Sequence, residues 1–138
     1  MGELGTFGTG RADGLDMAIS DALRQRTFEF ASAAVAFCRG LPEGWECREI
    51  GRQLLRSSTG LAANYRAACR GRSRREFVAK LGVAVEEADE TVFWLDLIER
   101  ARLTDPKPLV PLRQEAQELL AILARSHRTA RENSSRIG

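Results

Sequence analysis

Five arginines, Arg66, Arg70, Arg72, Arg74 and Arg75, stand close together in the middle of the chain, and Lys80 follows shortly after. A guanidinium offers a planar fork of donors that fits phosphate oxygens in two-point fashion, so such a cluster is suited to a phosphate backbone. Within it, Ser73-Arg74-Arg75-Glu76 has the spacing of a capping box. A helix starting there adds free amide groups and the positive end of its dipole to the same place. No aromatic residues are interleaved with the arginines and no recognition motif accompanies them, so binding through them is expected to be largely independent of base sequence. The same arginines would equally serve a contact with an acidic surface of a neighbouring subunit.

Catalytic readings find little material. His127 is the single histidine, which excludes the usual di-iron carboxylate bundle with its two Glu-x-x-His motifs. It lies four residues after Leu123 on an apolar stripe and reads as a structural histidine near a helix end. No spacing sets it beside a nucleophile. Cys38, Cys47 and Cys69 form no C-x-x-C pair and indicate neither a disulfide framework nor a thiolate zinc site. Glu86, Glu87, Asp89 and Glu90 point in different directions around a helix, so they make an acidic surface and not a cation site. The expectation is a protein that is not an enzyme and carries no metal or cofactor.

The elements that position the arginines are helical. Ile19, Leu23, Phe30, Ala34 and Phe37 share one face, until Gly40-Leu41-Pro42 stops the first helix. A second helix is expected from about Trp45 to Arg70, with Ile50, Leu54, Ser58, Leu61, Tyr65 and Ala68 inward. The small residues Ser57, Ser58, Gly60, Ala62 and Ala63 would let a neighbouring helix approach closely. Gly71 breaks this helix, the capping box starts a third over about Arg74–Arg102, and Leu103-Thr104-Asp105-Pro106 ends it. A fourth runs from about Pro108 to Arg131, with Leu112, Ala116, Leu119 and Leu123 inward. No segment alternates with period two, and four long helices with short connections specify an all-α, antiparallel up-down-up-down bundle over residues 17–132. Residues 1–16, rich in glycine, are expected to be a flexible leader, and 133–138 a flexible tail.

Two features suggest self-association. On the third helix Phe77, Leu81, Ala84, Val85, Ala88, Val92, Leu95 and Ile98 face the bundle core, yet Val83, Phe93, Trp94 and Leu97 fall on roughly the opposite side. A bundle buries only one of those sides, so the second is expected to be an interface between copies. Charge is also segregated. Residues 48–80 carry a net +7 and residues 81–105 a net −5, although the whole chain is only +2. Opposite patches on one chain are what a head-to-tail ring requires.

The run Arg56–Leu81 carries a resemblance: Ala63-Asn64 near the end of helix two, the basic turn, S-x-x-E-F at Ser73–Phe77, and Leu81-Gly82. It resembles the bacterial four-helix bundle family named from open reading frames in intervening sequences of large-subunit ribosomal RNA genes, over about residues 20–130. It is also similar to the accessory protein of diversity-generating retroelements. The resemblance implies a bundle that assembles into a cyclic homopentamer. From the retroelement relatives it implies nucleic-acid binding together with a reverse transcriptase. The commoner family pattern has Ala-Glu-Gly after the Asn-apolar pair. This chain has Arg66-Ala67-Ala68 instead, which removes the family glutamate and makes the turn more basic.

No apolar run approaches the roughly 20 residues that span a bilayer, and the N-terminus lacks the apolar stretch of a signal peptide, so a cytoplasmic location without membrane contact is expected. The leading functional reading is a homo-oligomer that binds RNA or DNA backbone through the helix 2–3 turn. The rival is a protein-interaction scaffold whose arginines serve subunit or partner contacts.

Overall fold

The computed structural model describes residues 13–137. Four helices follow one another, α1 Asp13–Arg39, α2 Trp45–Cys69, α3 Arg74–Arg100 and α4 Pro106–Ile137, with no strand among the described residues. Their order and packing are those of the expected antiparallel bundle. Thr91 of α3 shares a 2.9 Å hydrogen bond with Ser57 of α2. Farther down α2 and farther up α3, Gly60 seats Glu87. Glu99 pairs with Arg113 and Gly82 meets His127 in the same opposed sense along α3 and α4. Arg26 of α1 closes the square, with Nε and Nη2 donating to the two carboxylate oxygens of Glu115 on α4 at 2.7 and 2.8 Å.

The core is built from the stripes expected. Leu54 and Leu61 of α2, Leu81, Leu95 and Ile98 of α3, and Leu109, Leu119 and Leu123 of α4 are fully buried. Helix α1 supplies Leu23, Phe30 and Ala34. Ile19 does not join them: it is exposed, because Leu23 is the first residue of α1 to reach the core.

Each turn has its own local cause. Gly44, at the N-cap of α2, has φ 146°, a conformation that only glycine adopts at no steric cost. After α3, Leu103 N–H donates to Ile98 O and Arg102 N–H to Glu99 O, the Schellman pattern. Arg102 holds its left-handed position at φ 57° where glycine is usual. Pro106 opens α4, and Pro108 stands where an amide would lack an intrahelical partner in any case.

Two boundaries move. Helix α1 already includes residues 13–16, and the remainder of the expected leader, 1–12, lies outside the described residues. Residues 133–137, expected as a tail, continue α4. No glycine or proline interrupts the chain between Pro111 and Gly138, and Ala130 extends the buried stripe toward that end.

Candidate nucleic-acid interface

The α2–α3 turn is a compact, tightly satisfied piece of backbone. Helix α2 ends as Arg70 N–H reaches Arg66 O and Ala67 O, and Gly71 N–H donates to Ala68 O at 3.0 Å. Ser73 caps α3, its Oγ accepting from Glu76 N–H at 3.1 Å. The reciprocal bond goes one residue earlier than in the standard box: Glu76 Oε1 accepts from the amide of Arg72 at 2.6 Å. Gly71 is buried, and a Cβ there would stand 3.2 Å from both Ala68 O and Phe77 N. It is needed for close approach of two backbones, not for an unusual φ.

This turn presents most of the expected site. Arg66, Arg70, Arg72, Arg75 and Lys80 are exposed, and their side chains form no ion pair among the described residues. Arg66 and Arg70 are one turn apart on the outer side of α2. Arg74 is half-buried at the first position of α3. Lys80 lies farther along α3, so the structure sets it apart from the turn itself. By contrast, several arginines on the body of the bundle are committed. Arg26 is tied to Glu115 and Glu118, Arg56 to Glu87 and Glu90, and Arg113 to Glu99.

Beneath the turn, α1 packs on α2. Burial holds the Tyr65 phenol well above its ordinary range, with the neighbouring Cys69 adding to the shift and Ser20 of α1 opposing it. Burial likewise pushes the Cys69 thiol up. Both groups are therefore neutral packing elements at physiological pH.

Antiparallel packing also brings the C-terminal half of α4 beside the first half of α3. That half carries Arg125, Arg128 and Arg131, all exposed, which extend the basic surface beyond the turn. Sequence reading passed over them because they lie on the polar face of a helix that was traced by its apolar stripe. Their signal was the three-residue spacing.

The second expected surface, on α3, is partly covered. Phe93 is 55% and Val83 37% exposed, whereas Leu97 is half-buried and Trp94 packs against the core. The rings of Phe93 and Trp94 meet edge to face at 4.8 Å, and Trp94 Nε1 donates to Glu90 at 3.3 Å. Phe93 and Leu97 also line a cleft of about 1260 Å³ at the far end of the bundle, together with Pro42, Leu103 and Pro106. Nearby, the Glu87 carboxyl is pushed up by burial, which the Arg56 guanidinium at 3.8 Å only partly opposes. Its Oε1 is buried without a hydrogen-bond partner.

Among the described residues no group of three or more His, Cys, Asp or Glu side chains is placed to hold a metal ion. No helix among them is long and apolar enough to cross a membrane.

These features define an all-α antiparallel four-helix bundle with a cluster of exposed basic side chains at its α2–α3 turn. The chain belongs to the 23S rRNA-intervening sequence protein family, whose model matches residues 22–125. It is similar to a crystal structure of a protein of unknown function from the S23 ribosomal protein family of Bacteroides thetaiotaomicron. The two are 28% identical with a TM-score of 0.71, over 79% of this chain and 97% of that one. No curated protein matches the sequence.

Proposed function

We propose that this protein is a non-enzymatic, cytoplasmic homo-oligomer, pentameric as the resemblance implies, that binds the backbone of RNA or DNA through its α2–α3 turn. The observation that carries the reading is the exposure of Arg66, Arg70, Arg72 and Arg75 without ion-pair partners on a turn held rigid by Ser73, Glu76 and Gly71. Free guanidinium groups on a fixed backbone exchange condensed counterions for phosphates with little ordering cost. A reverse transcriptase is the protein partner this reading puts to the test by co-purification.

The experiment is a salt titration of binding to a labelled oligonucleotide, with the protein and with its Arg66, Arg70, Arg72 and Arg75 to Ala variant. Four phosphate contacts correspond to a log–log slope of about −3.6 on B-form DNA, so affinity should fall roughly 150-fold between ~50 and ~200 mM salt. The variant should lose that slope. Absent or salt-independent binding sinks the proposal.

A scaffold reading has its own support in the exposed Phe93 and Val83 beside the acids of α3. It expects the arginine variant to dissociate on a sizing column. Retention of the assembly with loss of nucleic-acid binding decides for the first reading.

A further inference from the structure

Three arginines of α4 are also left without a role. Arg125, Arg128 and Arg131 are exposed and form no ion pair among the described residues. Their spacing of three residues sweeps them around α4, each step turning back by roughly 60°, over about 9 Å of helix length. The sweep ends toward α3. Arg131 lies one turn beyond His127, whose Nε2 would stand 3.0 Å from a Cβ on Gly82 of α3, so the seam between the two helices runs there. The exposed acids at this end are fewer than the bases: Asp21 of α1, which pairs with Arg24, Glu76 at the start of α3, which accepts from the Arg72 amide, Glu86 of α3 and Glu132 of α4. At the opposite end of the bundle Arg39, Arg48, Arg100, Arg102 and Lys107 are exposed too, but they stand among Glu43, Glu46, Asp96 and Asp105. Among the described residues an excess of positive charge therefore occupies two separate places at one end, the α2–α3 turn and the second half of α4, with the start of α3 between them.

Among the described residues that end also lacks exposed rings. Their exposed large aromatics are Phe28 in the middle of α1, Trp45 at the start of α2 and Phe93 in the last third of α3. Trp45 and Phe93 belong to the far half of the bundle. Tyr65 is buried beneath the turn, and Phe77 and His127 are half-buried against neighbouring helices. Proteins that hold unstacked single strands add aromatic platforms to their basic grooves, on which successive bases stack. Duplexes need none, because their bases are already stacked and only phosphates, sugars and groove shape are presented.

We propose that Arg125, Arg128 and Arg131 form a second row of phosphate contacts, and that together with the turn arginines they select a double-stranded backbone over an unstacked single strand. This inference rests on the nucleic-acid reading above and narrows its ligand. Two rows separated by one helix suit the two phosphate strands that flank a groove, and a single flexible strand would engage only one row at a time.

The test measures fluorescence anisotropy of a labelled 20-mer as single strand and as blunt duplex, in RNA and DNA forms, titrated with the full chain across a salt series. The second protein is the Arg125→Ala, Arg128→Ala, Arg131→Ala variant, checked for unchanged helicity and elution volume. The duplex should bind about tenfold or more tightly than the single strand at ~100 mM salt. In the variant the duplex slope should shrink by about 2–3, and the single-strand slope should change less. Equal or tighter single-strand binding overturns the inference and leaves the turn reading standing, as does a variant whose duplex slope matches that of the parent. Failure of the parent protein to bind any of the four ligands overturns both.

Discussion

Gly71→Ala tests whether the basic turn is held by backbone contact or merely by local propensity. A Cβ at this position would lie 3.2 Å from Ala68 O on one side and 3.2 Å from Phe77 N on the other, with Phe77 Cα at 3.5 Å. Both close atoms are main chain within helical hydrogen-bond networks, so neither can swing aside as a side chain would. Forcing a methyl group into such a space costs about 1–3 kcal/mol. The loss of glycine freedom in the unfolded chain offsets this by about 0.4–1 kcal/mol. The net expectation is a destabilisation of about 1–2 kcal/mol, read in urea unfolding as a midpoint lowered by roughly 0.5–1 M with the slope unchanged. Gly60→Ala is the control. Its Cβ meets only the end of the Glu87 side chain, with Cδ at 3.0 Å, which can move outward, and alanine gains about 1 kcal/mol of helix propensity. That variant should be near neutral or slightly stabilised. If Gly71→Ala is as stable as the parent, or if the two substitutions cost the same, the assignment of the turn to backbone close-packing is wrong.

Other consequences follow from single sites. Burial raises the Glu87 pKa above its unfolded value, so the stability linked to this group is fully present below the ordinary carboxylate range and is lost as pH rises through the folded value. Glu87→Gln should therefore raise the urea midpoint at pH 7, with a gain that shrinks toward pH 4; an unchanged or lower midpoint at pH 7 contradicts the argument that burial outweighs the Arg56 ion pair. Arg102→Gly relieves a left-handed arginine in the Schellman turn, worth about 1–2 kcal/mol, against about 0.4–1 kcal/mol of added unfolded-state freedom. A net gain of roughly 0.5 kcal/mol is expected, visible as a small rise in thermal midpoint, and a fall would show that the Arg102 side chain stabilises the turn in some other way.

The bundle was legible in the sequence because helical periodicity survives in the order of residues. Leu54, Leu61, Leu81, Leu95, Leu119 and Leu123 stand at intervals that leave one packing solution, and Gly40-Leu41-Pro42, Gly71 and Leu103-Thr104-Asp105-Pro106 mark where each helix must end. The turn chemistry was legible for the same reason, since a capping box is a local pattern. What a sequence cannot express is which distant side chains meet. Arg56 counts in sequence as one more base near the turn, yet it is tied to Glu87 and Glu90 of α3. Trp94 lies on the outer side of an ideal helix, yet in the bundle it packs partly against the core. Arg125, Arg128 and Arg131 lie far from the turn along the chain and reach its end of the molecule only because α4 runs antiparallel to α3.

Sequence alone thus determined the four helices, their order and the presence of an arginine-rich turn, because helix formation and capping depend on residues a few positions apart. Tertiary structure decided which of the charges are neutralised by partners and which remain open to a ligand. The physical reason is that ion pairing and burial depend on separation in space, and only the packing of α2, α3 and α4 sets those distances.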